Sequence, residues 1–92
     1  MADPARPRKK AVALRYDPAH DSAPTVVAKG QGHIAERILG LARENYVPVR
    51  EDRNLVQVLS MLELGREIPP EVYQAVAAIL AFIYRLNRPA GA

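Results

Sequence analysis

The chain has 92 residues, 49% of them apolar and 25% charged, the composition of an ordinary globular domain, and it is short enough that one small core must serve the whole molecule. It contains no cysteine, which excludes disulfides, Cys-ligated zinc and thiol nucleophiles and suits a reducing compartment. The net charge of +3 is concentrated at the start, where Arg6, Arg8, Lys9 and Lys10 face only Asp3. Residues 1–10 therefore read as a basic, disordered arm on a neutral body.

The longest apolar stretch, Val72 to Leu86, is interrupted by Gln74 and Arg85 and falls short of the roughly 20 residues a bilayer span needs. The opening MADPARPRKK has positive charge with no apolar run behind it, so it does not read as a secretory signal.

From Ala11 the pattern alternates, with Val12, Leu14 and Tyr16 on one face and Ala13, Arg15 and Asp17 on the other, which predicts a half-buried strand. Asp17-Pro18 and the small residues through Pro24 predict a loop. Thr25-Val26-Val27-Ala28, ended by Gly30, predicts a second strand. Beyond Gly32, Ile34, Ile38, Leu41 and Ala42 recur at helical spacing, ending near Asn45. Val47-Pro48-Val49 predicts a short third strand, confined to an edge because Pro48 has no N–H to donate.

Asn54 is placed to cap a brief helix with a buried stripe of Leu55, Val58, Leu59 and Leu62, and Gly65 is placed to end it. Pro69-Pro70 suits a helix start, and Val72, Val76, Ile79, Leu80, Ile83 and Leu86 give the final helix the longest apolar stripe in the chain. The predicted fold is α/β: a small mixed β-sheet of about three strands packed with three helices, in the order β-β-α-β-α-α. The domain plan is an arm over 1–10, one domain over 11–88 and a flexible end over 89–92.

Little in the chain resembles a catalytic centre. Lys29-Gly30-Gln31-Gly32-His33 falls between strand and helix, where a glycine-rich loop could cradle phosphate, but the glycine spacing fits neither the dinucleotide nor the P-loop pattern and no Lys-Ser/Thr follows. A tight turn is the simpler reading. His20 and His33 lack a second ligand at metal-binding spacing, and the acidic pairs Asp17/Asp21 and Glu51/Asp52 belong to loops or element ends. No cofactor is expected. Tyr16, Tyr46, Tyr73 and Tyr84 are dispersed without the paired platform of single-strand nucleic-acid readers, so nucleic-acid binding rests on the ARPRKK arm alone.

The segments AVALRYDP, APTVVAKGQGHIAERI, ENYVPVRED and LGREIPPEVYQAVAAILAFIYRL, taken in order, resemble the cytoplasmic C-terminal domain of the FlhB/YscU family of flagellar and type III secretion export gates. In that family the AVALRY strand follows an Asn-Pro-Thr-His motif, at which the Asn side chain attacks its own backbone carbonyl and the chain breaks before Pro. Here Arg6-Pro7-Arg8-Lys9 occupies those positions. A guanidinium stays protonated and cannot close the imide ring as an amide does, so autocleavage is expected to be lost and the chain to be no enzyme.

The resemblance implies a stand-alone FlhB-like paralogue, cytoplasmic and peripheral at the secretion apparatus. Its implied role is a non-catalytic interaction module whose partners are export-gate proteins and secretion substrates, with no nucleic acid expected. A nucleic-acid-associated protein using the basic arm is the alternative, and a phosphate-handling enzyme around Gly30 to His33 is a third class. The resemblance further implies a substrate-binding surface at Ala23, Pro24, Ala77 and Leu80, and a first-strand edge open to residues 8–10 or to a family-type upstream strand.

Overall fold

The computed structural model describes residues 9–87. Its elements are β1 (Lys10–Arg15), β2 (Thr25–Gln31), α1 (His33–Glu44), α2 (Arg53–Ser60) and α3 (Pro70–Asn87). The vestigial-motif positions Arg6, Pro7 and Arg8 lie outside the described residues, whereas Lys9 is exposed and its carbonyl accepts from the Gly32 N–H at 2.8 Å.

β1 and β2 form an antiparallel pair in which Ala11 faces Gly30, Val12 faces Lys29 and Ala13 faces Ala28. The register then slips so that Leu14 faces Val26, leaving Val27 as an extra, exposed residue. This is a β-bulge, and it decides which face each side chain takes. Simple alternation would put Val26 on the same side as Gly30, but the bulge turns it to the side of Lys29, Val12 and Leu14.

The two faces of the sheet therefore differ in size. Ala11, Ala13, Ala28 and Gly30 present small groups to α1, and a Cβ at Gly30 would meet Ile34 Cγ2 at 2.1 Å and its Cβ at 2.7 Å. So close an approach leaves room for only a small helical residue in between: Ala35 is fully buried while Ile34 and Leu41 are 60% and 54% exposed. The predicted apolar stripe of α1 is thus largely open. On the other face Val26 joins Leu59, Ile68 and Val76 in the main core, with Val12, Leu14 and Leu55 packed against it.

The predicted third strand is absent among the described residues. Val47–Val49 is irregular, with Val47 and Val49 about half exposed. The Val47 N–H is already taken by Ala42 O at 2.8 Å, the Tyr46 N–H reaches Arg43 O at 3.2 Å, and Pro48 offers none, so few donors are left for a ladder. The second edge of β2 is filled instead by the segment after α2. Val26 N–H donates to Arg66 O (3.1 Å), Gly65 N–H to Val26 O (2.8 Å) and Ile68 N–H to Pro24 O (2.9 Å). Gly65, at φ 80°, has the left-handed backbone that brings this segment alongside. The element order is β-β-α-α-α, a two-stranded sheet between α1 and the α2–α3 layer.

Three further expectations are corrected. Asp52, and not Asn54, caps α2, its Oδ1 accepting from Leu55 N–H at 3.0 Å. Val58, predicted to be buried, is 45% exposed. The glycine-rich stretch is strand as far as Gln31, with only Gly32 (φ 59°) in the turn. At α3 the expectation holds: Pro69 precedes the helix, its carbonyl accepts from Tyr73 N–H at 2.9 Å, and Pro70 is the first helical residue.

Candidate interaction surface

Ala23, Pro24, Ala77 and Leu80 come from two places, the end of the loop before β2 and the middle of α3. Ala23 and Leu80 are half-buried, and both pack against the cluster of Val26, Leu59, Ile68 and Val76. Pro24 is different. Its side chain is fully buried and its carbonyl holds Ile68 N–H, so its ring is not offered to a partner.

Ala77 is half-buried. It stands four residues after Tyr73 and three before Leu80, so all three share one face of α3. Tyr73 and Leu80 both pack against the core, and the single carbon of Ala77 lies between them along that face.

Tyr73 also engages the end of β1. Its hydroxyl donates to the Tyr16 hydroxyl at 3.0 Å and the rings meet edge to face, with centroids 6.1 Å apart at 76°, a favoured aromatic geometry. Reading the sequence by residue type treated these tyrosines as dispersed. The signal for their pairing was present in the shared face of Val12, Leu14 and Tyr16, but the partner, 57 positions away, was not legible.

The loop leading to Ala23 is organised by polar contacts. Asp17 accepts from Ala19 N–H through Oδ1 (3.0 Å) and contacts His20 Nδ1 through Oδ2 (2.7 Å), and Asp21 Oδ2 accepts from Asp17 N–H (2.9 Å). Ser22 Oγ donates to Glu67 (3.1 Å to Oε2), tying the loop to the segment that pairs with β2. The acidic pair Asp17/Asp21 thus builds a turn. Among the described residues there is no cluster of His, Cys or acidic side chains able to hold a metal, and no helix long and apolar enough to cross a membrane.

Residues 5–83 match the family described as FlhB HrpN YscU SpaS. The chain belongs to this family. Uncharacterized protein YlqH of Bacillus subtilis (strain 168) is 46% identical over 81 residues, 88% of this chain and 87% of the relative. Flagellar biosynthetic protein FlhB of Aquifex aeolicus (strain VF5) is 44% identical over 78 residues, 84% of this chain but 22% of the relative. The chain therefore spans about a fifth of the FlhB sequences it matches. Among solved structures, the PscU C-terminal domain superposes with a TM-score of 0.79 at 27% identity, covering 84% of this chain and 99% of that one. The cytoplasmic domain of FlhB from Shewanella putrefaciens gives 0.75 at 33% identity, covering 82% and 63%. Several relatives in this family carry the name flagellar biosynthetic protein FlhB.

Proposed function

We propose that this FlhB-family domain is a non-catalytic interaction module of the export apparatus, one that receives an apolar anchor of a secretion substrate or gate component at the margin formed by Ala23, Ala77 and Leu80. The supporting observation is the meeting of Ala23 and Leu80 on one core cluster, with the small Ala77 set between Tyr73 and Leu80. A one-carbon side chain flanked by larger ones leaves a recess that suits an apolar side chain, and half-burial means that an incoming group completes the removal of apolar surface from water. Pro24 contributes by fixing the loop backbone.

Catalysis has no part in this reading. Arg6 stands where the family's cleaving Asn would be, and its guanidinium has no neutral amide nitrogen for imide closure. The nucleic-acid alternative draws on the arm alone and gains nothing from the relatives.

The test is Ala77→Asp. A carboxylate in the recess must be desolvated by any apolar anchor, so a folded variant should lose binding of a hydrophobic secretion-signal peptide while keeping its melting temperature within a few degrees. Unaltered binding by a folded variant removes this surface from the proposal, and global unfolding assigns Ala77 to the core.

A further inference from the structure

The outward side of α1 is the strongest unassigned feature. α1 packs on β1 and β2 and, among the described residues, on no other helix. Its buried residue is Ala35, which marks the side that meets the sheet. Ile34, Arg37, Leu41 and Glu44 follow one another at steps of three, four and three, the spacing of a single stripe on a helix, and that stripe is turned away from Ala35. Ile34 and Leu41 are more than half exposed, and Arg37 and Glu44 are exposed.

The two charges on this stripe are unpaired. Among the described residues neither side chain makes a hydrogen bond or an ion pair, and neither has an opposite charge three or four positions away on α1. At seven positions apart they are separated by about 10 Å along the axis, too far to pair with each other. Gly40 adds no bulk between them, and a Cβ there would meet nothing within 4 Å.

We infer that this stripe is a self-association surface, on which a second copy of the chain docks through its own α1. The two helices run antiparallel about a two-fold axis passing between residues 40 and 41. The inference stands on α1 and is independent of the recess at Ala77.

Charge chooses this occupant and its direction. The two-fold axis sets Arg37 opposite Glu44 of the second copy, and symmetry repeats the pair. Parallel helices would instead set Arg37 beside Arg37 and Glu44 beside Glu44, and like charges across a helix pair reject that orientation. A purely apolar partner would strip water from both charges without pairing either.

The apolar groups fall into the same register. Leu41 meets Leu41 of the second copy at the axis. Ile34 reaches the turn after the opposing helix, where Tyr46 and Val47 are more than half exposed, so each copy removes apolar surface of the other from water. α1 is only ~18 Å long at 1.5 Å per residue, so the interface is small and the dimer weak and concentration-dependent.

Sedimentation equilibrium of the full chain, from micromolar to millimolar concentration, should show monomer and dimer in exchange. Leu41→Asp changes an exposed side chain, so circular dichroism should report an unaltered fold while dimerisation weakens by about tenfold or more. Arg37→Glu places like charges at both contacts, as does Glu44→Arg, and each variant alone should dimerise about tenfold more weakly. Mixing the two variants restores opposite charges at both contacts of a heterodimer. The mixture should therefore regain the affinity of the unaltered chain.

A chain that stays monomeric at millimolar concentration, dimers indifferent to Leu41→Asp, or a mixture of the two charge variants that associates no better than either alone would each overturn the proposal. If Leu41→Asp does not fold, the charge variants decide, since Arg37 and Glu44 hold nothing within their own chain.

Discussion

Lys29 Nζ donates to the main-chain carbonyl of Leu62 at 2.6 Å and to that of Ser60 at 3.1 Å, so a strand side chain closes the C-terminal end of the helix packed on its sheet. α2 ends at Ser60 without a basic residue in its own last turn. Its final carbonyls lack intrahelical donors and carry the negative end of the helix dipole. The cation they need is supplied from β2, on the face that the bulge at Val27 also gives to Val26.

Lys29→Met keeps much of the stem and removes the charge and its donors. The half-buried carbonyls of Ser60 and Leu62 lose their partner, which should lower stability by about 1–3 kcal/mol. Urea denaturation followed by far-UV circular dichroism measures it. An unchanged midpoint would show that water replaces the ammonium at no cost.

Gly30→Ala should destabilise the domain by about 1–3 kcal/mol, because the new methyl falls 2.7 Å from Ile34 Cβ, an atom that no side-chain rotation removes. α1 must shift bodily. Adding Ile34→Ala takes away Cγ2 but leaves Cβ, so the double variant should recover part of the loss. Full stability of Gly30→Ala would contradict the close approach of α1.

Tyr46 has φ 56° and a side chain 92% exposed, an L-residue in the left-handed position that ends α1, where glycine is usual. Tyr46→Gly should raise stability by up to about 1 kcal/mol, the relief of backbone strain being offset in part by the greater freedom of glycine in the unfolded chain. Thermal melting reads the sign. A clear loss of stability would mean that the ring makes a contact its exposure does not suggest.

With Arg6 preceding Pro7, the purified chain should keep one intact mass after days at neutral pH. Intact-protein mass spectrometry tests this, and a fragment beginning at Pro7 would show cleavage by a route that needs no asparagine.

Local patterns in the sequence were enough for the elements whose signals are local. The alternation of Val12, Leu14 and Tyr16 marked β1, Pro69-Pro70 marked the start of α3, and the ordered segments from AVALRY to the final helix marked the family, because period and turn chemistry depend on neighbours only a few positions away. What the tertiary structure decided was which surfaces meet. The bulge at Val27 moved Val26 across the sheet, the segment from Gly65 to Ile68 bonds alongside β2, and Val47 to Val49, predicted as a short edge strand, is irregular. The small face of Ala11, Ala28 and Gly30 chose Ala35 over Ile34 as the buried residue of α1. Asp52 capped α2 one turn before its first core leucine, a single position from several equivalent polar choices. Pro24, read as part of a binding surface, is buried in the interior, and its carbonyl accepts from Ile68 N–H. Each of these outcomes depends on a partner tens of residues away or on a one-residue change of register, and a one-dimensional pattern records the face a side chain prefers without recording what will be there to meet it.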